Sequence, residues 1–373
     1  MREYLVVFGI ALGVTYLLAS IARQLAVRFG AVARVRDRDV HAIPTPYFGG
    51  PAMLGGLVAA YLVATHLPFL STADSSVFKD ARSVVIGGTV ICLVGVIDDL
   101  FELDALSKFA GQMLAAFIVV VQGVQFVYLP LYGNYLGLDQ AQAVIFTTLL
   151  IVGTANAVNF VDGLDGLAAG MVAIGAVAFF AFAFVVAVEN GETRAIAAAL
   201  LAAALAGACI GILPHNFFPA RMFIGDSGSM LIGFVLACSS ISLTGQFPAT
   251  SLSEGIGGAQ ASFLPALLPL ILPFTILLVP FVDLGLAVVR RTRAGRSPFS
   301  PDKMHIHHRL LEIGHSHRRA VLLMYATAGL VAFGSVVISL FSGWESIVGF
   351  GVLTLLTAAA IFLLPKLDEK VWS

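Results

Sequence analysis

The sequence predicts an all-α protein that crosses a membrane many times. Of its 373 residues, 59% are hydrophobic and only 12% are charged, whereas soluble domains carry about 25% charged residues. Repeated apolar runs reach the roughly 20 residues that a membrane-spanning helix needs. Glycine and alanine are frequent within these runs, as close helix packing in lipid favours. We interpret residues 1–373 as one integral-membrane domain.

Eleven apolar runs are candidate membrane spans. We interpret the first as a retained helix, because no small-residue cleavage site follows it. The third is short for a span. The runs lie at about 4–25, 48–67, 83–97, 108–128, 141–158, 166–188, 194–213, 228–245, 262–289, 320–341 and 345–364.

The basic residues predict the orientation, because loops rich in lysine and arginine stay on the cytoplasmic side. With the N-terminus outside and the C-terminus cytoplasmic, all 21 lysines and arginines fall on the inner side except Arg2, Lys79, Arg82 and Arg194. The same map puts five polar clusters on the cytoplasmic face, in the predicted loops 26–47, 98–107, 159–165, 214–227 and 290–319. Five polar clusters on one face predict one assembled site.

The segment from Asn156 to Gly166 carries the densest polar signal. Asn156, Asn159, Asp162 and Asp165 lie at the end of the apolar run 141–158, and acids within membrane segments are functional-site candidates by default. A single aspartate could instead cap the next helix. Two acids and two asparagines exceed what a cap needs, so the segment predicts a polar-ligand or metal site.

A second acidic motif, Asp98-Asp99, follows the third apolar run. These acids could belong to a solvated loop that caps the next helix, but adjacent carboxylates at a membrane boundary also suit a metal, a cation or a proton. Lys108 follows closely. It is either an interfacial anchor or a phosphate contact.

The segment from Phe223 to Ser229 precedes another apolar run. Asp226 is either a helix cap or a Mg²⁺ ligand beside phosphates bound at the helix N-terminus. Phe223 is either lipid-facing or a stacking face for an aromatic base.

The loop 290–319 combines basic residues with a histidine cluster, His305, His307 and His308, followed by Arg309. Zinc is disfavoured, because neither a cysteine nor an HExxH helix accompanies the histidines. The cluster favours an anionic ligand. Nucleic acid is excluded as the partner, because the basic stretch is one short loop without interleaved aromatics.

Four of these motifs, taken in their order along the chain, resemble those of the polyprenyl-phosphate N-acetylhexosamine-1-phosphate transferases, the glycosyltransferase 4 family. The resemblance covers roughly residues 30 to 340 and is greatest to the WecA/TagO-like branch, in particular its actinobacterial members. The motifs are Asp98-Asp99, Asn159-Phe-Val-Asp-Gly-Leu-Asp-Gly, Phe223-Ile-Gly-Asp-Ser-Gly-Ser and His305-Ile-His-His-Arg.

The resemblance implies a helix bundle in a bacterial plasma membrane, with its active site facing the cytoplasm. The implied reaction moves N-acetylglucosamine-1-phosphate from UDP-N-acetylglucosamine to undecaprenyl or decaprenyl phosphate and releases UMP. It starts the synthesis of a lipid-linked envelope glycan. The implied cofactor is Mg²⁺, with Mn²⁺ as a candidate substitute. The implied partners are the two substrates and the bilayer, with a second copy of the chain as a further candidate.

The resemblance also implies a role for each motif residue. Asp226 and Asn159 hold Mg²⁺, Phe223 stacks on uracil and Asp165 hydrogen-bonds to it. Asp98 and Asp99 face the lipid phosphate, with Lys108 as its charge partner. His305, His307, His308 and Arg309 hold the pyrophosphate and sugar. We assign Asp162 to the catalytic groups and Asn156 to the substrate contacts.

Two mechanisms and three other functions remain as alternatives. The acceptor phosphate attacks directly in one in-line step, or an aspartate first forms a covalent intermediate. The runner-up enzyme is a phospho-N-acetylmuramoyl-pentapeptide-type transferase. A transporter is disfavoured, because transporters bind near the bilayer midplane and often contain repeats. A structural membrane protein gives no reason for polar clusters on one face.

Overall fold

The structure is a bundle of long apolar helices. The computed structural model describes residues 1–33, 44–131, 134–189, 193–244, 292–293, 316–341, 344–346 and 348–357. The predicted ninth span at 262–289, residues 34–43 of the predicted loop 26–47, and most of the predicted loop 290–319 lie outside these residues. The helices are α1 (Arg2–Phe29), α2 (Gly49–Ala64), α3 (Pro68–Ser71), α4 (Ser75–Phe101), α5 (Ala105–Val121), α6 (Gln140–Val161), α7 (Leu167–Glu189), α8 (Thr193–Asn216), α9 (Gly225–Thr244) and α10 (His317–Leu340).

Seven of the described helices are long and apolar enough to cross a membrane, judged by length and composition: α1, α4, α6, α7, α8, α9 and α10. Gly49–Ala64, Ala105–Val121 and Trp344–Thr357 are shorter apolar helices. Large apolar side chains such as Leu17 and Leu149 are more than half exposed, as a lipid-facing surface requires. These features confirm a polytopic helical membrane protein. The count of eleven spans and the orientation stay predictions.

The predicted span at 108–128 was wrong at its C-terminal end. The apolar run 108–128 does not stay helical to its end: α5 ends at Val121, and β1 (Tyr128–Leu131) pairs antiparallel with β2 (Asn134–Gly137). The chain leaves helical geometry at Gly123, whose φ is +104°, and Pro130 further on cannot lie in a helix interior without losing a hydrogen bond. The chain therefore forms a short hairpin before α6.

Three predicted loops also proved shorter than the sequence suggested, because the helices run into the polar motifs. α4 includes Asp98 and Asp99, and α6 includes Asn159. α8 continues to Asn216, past the predicted start of the loop at 214. Each of these polar side chains finds a partner on another part of the chain, so the helix does not have to end where the apolar run ends.

The centre of the described bundle consists of α8 and α9, the most completely buried of the long helices that the structure describes. Small residues allow neighbours to approach their backbones closely, as is common between helices in lipid. A Cβ atom on Gly207 of α8 would lie 2.3 Å from the Phe8 carbonyl oxygen, and one on Gly211 would lie 2.5 Å from that of Leu12. α1 and α8 therefore touch along their backbones.

The N-terminus of α9 is held by two other helices at glycine positions. A Cβ atom on Gly50 of α2 would lie 2.4 Å from the Ser227 carbonyl carbon, and one on Gly95 of α4 would lie 2.3 Å from the Ser227 Cα. The backbone N–H groups of Gly49 and Gly50 donate to the carbonyl oxygens of Phe223 and Ile224 at 3.2 and 3.1 Å. α2, α4 and α9 thus meet at one point.

This contact predicts that Gly95→Ala destabilises the protein. The added methyl group would meet backbone atoms that cannot rotate away, and overpacking of this kind costs about 1–3 kcal/mol. Gly153→Ala is the matched control, because it lies within α6 with no heavy atom within 4 Å of its added Cβ; alanine there favours the helix by up to about 1 kcal/mol. Thermal unfolding in detergent measures both variants. Equal unfolding midpoints would contradict the predicted contact.

Candidate active site

Four helix ends bring polar side chains together at one end of the bundle. Asp98 and Asp99 lie in the last turn of α4, and Lys108 lies in the first turns of α5. Asn159 lies in the last turn of α6, and Asp226 lies in the first turn of α9. These residues come from three of the predicted clusters, 98–107 with the adjacent Lys108, 159–165 and 214–227, which are far apart in sequence. The structure therefore brings these five predicted site residues together.

The Lys108 ammonium group lies at the centre of this cluster. Its Nζ atom donates to Asp98 Oδ2 at 3.0 Å, and it also forms an ion pair with Asp226 Oδ2. Asn159 Oδ1 lies at 3.5 Å from the same nitrogen. The Asp226 side chain remains 32% exposed and that of Lys108 18% exposed. A ligand can therefore reach the cluster from outside.

Asn159 connects α6 to the start of α9. Its Nδ2 atom donates to Asp226 Oδ1 at 2.7 Å and to Ser229 Oγ at 2.8 Å. Asp226 thus has Asn159 on one carboxylate oxygen and Lys108 on the other. These contacts fix its orientation. Ser229 ends the predicted motif 223–229, but no role was predicted for it; it lies one turn after Asp226 in α9 and is fully buried.

Asp99 makes contacts different from those of its neighbour Asp98. Its Oδ1 accepts the backbone N–H of Asp226 at 2.8 Å, and its Oδ2 accepts the Ser227 hydroxyl at 2.8 Å. A carboxylate is favourable there, because the first N–H groups of a helix lack partners within it. Gly225 has φ +68°, and a Cβ atom on it would lie 2.6 Å from Asp99 Oδ2. Asp99 therefore caps α9 from α4, a role that our assignment to the lipid phosphate did not include.

The turn between α6 and α7 holds the other two predicted acids. Asp165 is buried, and its Oδ2 accepts the backbone N–H of Ala220 at 2.9 Å. Beside it, the N–H of Gly166 donates to Asn216 Oδ1 at 3.1 Å, and the Tyr325 hydroxyl donates to the Gly166 carbonyl oxygen. The structure therefore places Asp165 in contacts that hold the 217–222 connection. Its predicted bond to a base stays a prediction.

Asp162 differs from Asp165 in its surroundings. Its side chain is partly exposed, and within the described residues its carboxylate makes no hydrogen bond or ion pair. Although part of the residue is exposed, its carboxyl group is largely removed from water, and this, with the nearby negative charges of Asp226, Asp99 and Asp165, raises the pKa of the Asp162 carboxyl well above its usual range. This favours its protonated form when no cation is bound nearby.

Phe223 is anchored through its backbone to the segment that precedes α2. Its N–H donates to the Pro46 carbonyl oxygen at 2.9 Å, and its own carbonyl oxygen accepts the N–H of Gly49 at 3.2 Å. The Phe223 and Tyr47 rings lie 6.0 Å apart at 46°. The Phe223 side chain is partly exposed. The described part of the predicted cluster at 26–47 thus packs beside the segment that leads to Asp226.

Asn156 lies one turn below Asn159 and contacts a residue that sequence reasoning missed. Its Nδ2 donates to Gln112 Oε1 at 2.6 Å, and Gln112 Nε2 donates back to Asn156 Oδ1 at 3.1 Å. We predicted a substrate contact for Asn156, and the structure places it in this amide pair. A glutamine four residues after Lys108, within an apolar run, was the available signal.

The histidine cluster, His305, His307, His308 and Arg309, lies outside the described residues, so its assignment stays a prediction. Within the described residues, no group of three histidine, cysteine or acidic side chains could hold a metal. Asp98, Asp226 and Asn159 do surround one positive charge with oxygen atoms. Such oxygens suit a hard divalent cation that takes its remaining ligands from water and phosphate.

Comparison with known proteins agrees with this geometry. A model for glycosyl transferase family 4 matches residues 81–244, the part of the chain that contains Asp98, Lys108, Asn159 and Asp226. A decaprenyl-phosphate N-acetylglucosaminephosphotransferase of Mycolicibacterium smegmatis is 45% identical, with 98% of this chain and 89% of that protein covered. Its namesake from Mycobacterium tuberculosis is 48% identical over 90% of this chain and 82% of that protein.

A phospho-N-acetylmuramoyl-pentapeptide-transferase of a Mycobacterium species is more distant. It is 33% identical, with 65% of this chain and 76% of that protein covered. The greater identity and coverage of the first two relatives do not favour this alternative. The chain belongs to glycosyl transferase family 4, in its polyprenyl-phosphate N-acetylglucosamine-1-phosphate transferase branch of actinobacterial type.

Proposed function

We propose that this protein transfers N-acetylglucosamine-1-phosphate from UDP-N-acetylglucosamine to a polyprenyl phosphate and releases UMP. The observation that carries the proposal is the Lys108 ammonium group between Asp98 and Asp226 at the end of a membrane helix bundle. An accessible cation and carboxylates at that position suit phosphates that arrive both from the aqueous phase and from a lipid. The product would start a lipid-linked envelope glycan.

The active site is proposed to face the cytoplasm, with the N-terminus of the chain outside and the C-terminus inside. The support is the uneven distribution of basic residues, since all but four of the 21 lysines and arginines fall on one side of the span pattern. A nucleotide sugar is a cytoplasmic metabolite, so this orientation also suits the donor. In a bacterium the membrane would be the plasma membrane.

Mg²⁺ is the proposed cofactor, held by Asp226 with Asn159. The residues fit this ion in kind, because their oxygen atoms already surround the positive charge of Lys108, and Mg²⁺ commonly takes one or two carboxylates plus substrate phosphates. When bound, Mg²⁺ would neutralise the charge of the transferring phosphoryl groups. Mn²⁺ is the proposed substitute.

The chain's own residues would act mainly by alignment and charge neutralisation, which supply most of the acceleration in phosphoryl transfer. In the proposed step an oxygen of the polyprenyl phosphate attacks the β-phosphorus of the donor, a new P–O bond forms, and the bond to UMP breaks. The second pKa of a phosphate monoester is about 6. The nucleophile is therefore already ionised at neutral pH, and a general base would add little.

Asp98 and Lys108 would position the acceptor phosphate. Lys108 supplies a positive charge, and Asp98 holds it in place at 3.0 Å. The other Asp98 oxygen accepts the N–H of Leu103 at 2.8 Å, so both of its oxygens are engaged. This arrangement supports orientation by Asp98 rather than nucleophilic attack. His305, His307, His308 and Arg309 are proposed to hold the pyrophosphate and sugar, and Phe223 the uracil.

The activity itself is the first test. Purified protein with Mg²⁺, decaprenyl phosphate and radiolabelled UDP-N-acetylglucosamine should give a chloroform-extractable product and one UMP per lipid formed. UDP-N-acetylmuramoyl-pentapeptide should give little product in the same assay. A preference for the pentapeptide donor would contradict the proposed substrate, and label bound or moved across vesicles without any lipid product would indicate a transporter.

Asp226→Asn should remove metal-dependent turnover while leaving the protein folded. The loss of the charged ligand should lower kcat by at least about 100-fold, measured as UMP release across a Mg²⁺ titration. Asp139→Asn is the matched control: Asp139 caps α6 at its other end, and asparagine is an equally good cap. Near-normal turnover of Asp226→Asn would exclude the assigned metal role.

The single-step mechanism predicts that labelled UMP exchanges into UDP-N-acetylglucosamine only when polyprenyl phosphate is present. Without the acceptor, no P–O bond can form, so UMP cannot leave and return. A covalent aspartyl intermediate would instead release UMP before the lipid binds. Exchange is measured by chromatography of the nucleotide pool with and without lipid. Exchange at an equal rate without lipid would establish the covalent route.

A further inference from the structure

A second layer of side chains lies directly beneath the cluster around Lys108, and it contains one residue from each of the same three helices. The upper tier is Lys108 of α5, Asn159 of α6 and Asp226 of α9. The lower tier is Gln112 of α5, Asn156 of α6 and Met230 of α9.

The spacing of the tiers follows from helix geometry. Residues three or four apart lie one above the other on a helix. From the upper tier to the lower tier, the residue number changes from 108 to 112 on α5, from 159 to 156 on α6, and from 226 to 230 on α9. α6 runs in the opposite direction to α5 and α9, so its numbers fall as theirs rise. All three helices therefore present adjacent turns to the same axis.

The lower tier is joined by hydrogen bonds whose geometry fixes the height of α5 against α6. Gln112 and Asn156 exchange two amide hydrogen bonds, at 2.6 and 3.1 Å. Gln112 Nε2 also lies 3.1 Å from Met230 Sδ. A slide of one helix along the other would break both bonds of the pair. Where no water can replace them, unpaired amides are costly, so the pair resists a slide in either direction.

Gln112 itself cannot act on a substrate in this structure. It is only 1% exposed, and both its amide oxygen and its amide nitrogen are used by Asn156. Its effect on the upper tier must therefore pass through the backbones of α5 and α6, which also carry Lys108 and Asn159.

We propose that Gln112 is a positioning residue for the transfer reaction, and that its pair with Asn156 sets the register in which Lys108 and Asn159 meet Asp226. This proposal rests on the proposed function and adds to it a residue that touches neither substrate nor metal. It also gives Asn156 a different task from the substrate contact that the sequence suggested.

The test is a set of length-matched exchanges at the pair. Gln112→Met keeps the size of the side chain but removes the amide, and Gln112→Asn and Asn156→Gln make the pair too short or too long. Each single change should lower kcat by about tenfold to about 100-fold, as small misplacements of reacting groups do, with little change in KM for either substrate. The double variant Gln112→Asn with Asn156→Gln restores the combined length and should recover most of the lost kcat.

Gln122→Met is the matched control. Gln122 follows the last turn of the same helix α5 and bonds Ser83 Oγ of α4 at 3.0 Å, at the far end of the bundle. The Gln122→Met variant should have a lower unfolding temperature but an unchanged kcat per folded molecule. All variants are compared at equal amounts of folded protein, with UMP release as the measure.

Three results would overturn the proposal. They are a normal kcat for Gln112→Met, an equal loss in Gln122→Met, and a double variant no better than its single variants. If Gln112→Met does not fold, the test is the comparison of kcat between the double variant and its two single variants, Gln112→Asn and Asn156→Gln. A raised KM for the donor in both Asn156→Gln and the double variant would instead indicate that Asn156 contacts the substrate. An inactive wild-type protein would instead refute the proposed function.

Discussion

The candidate site depends on the ion pairs of Lys108 with Asp98 and Asp226. Charged side chains at the edge of a membrane bundle are costly unless they are paired. One ammonium group between two carboxylates leaves a net negative charge, and Asp99 nearby adds another if it is ionised. The pairing stabilises the cluster in the folded chain. The excess negative charge still attracts a further cation. That remaining charge is the physical reason to expect a divalent metal there.

This pairing is only possible because the helices approach closely. Gly50, Gly95 and Gly225 lie where any side chain would collide with α9 or with Asp99. Without Cβ atoms at these positions, α2 and α4 can contact the start of α9 through their backbones. The first turn of α9, and with it Asp226, is then held by both α2 and α4. The glycines thus set the distances that the charged groups need.

Much of this arrangement could be predicted from the sequence. Composition and apolar runs were sufficient to predict a polytopic helical protein, and the order of the polar motifs was sufficient to predict the family. The ends of the helices were harder to predict, because Asp98 and Asn159 look like loop residues until their partners on other helices are known. Gln112 was missed for the same reason. A single glutamine in an apolar run signals a polar contact, but its partner is known only once Asn156 is seen opposite it.

The adjacent pair Asp98-Asp99 shows most clearly why sequence alone could not divide the work within the site. Successive residues of an α-helix point about 100° apart, so two neighbouring carboxylates cannot face the same partner. Asp98 faces Lys108 on α5, whereas Asp99 faces the backbone N–H groups at the start of α9. The first carboxylate holds the Lys108 ammonium group, and the second holds the helix that carries Asp226. Their chemical identity and their nearness in sequence therefore say nothing about a shared role, which the packing of α5 and α9 decides.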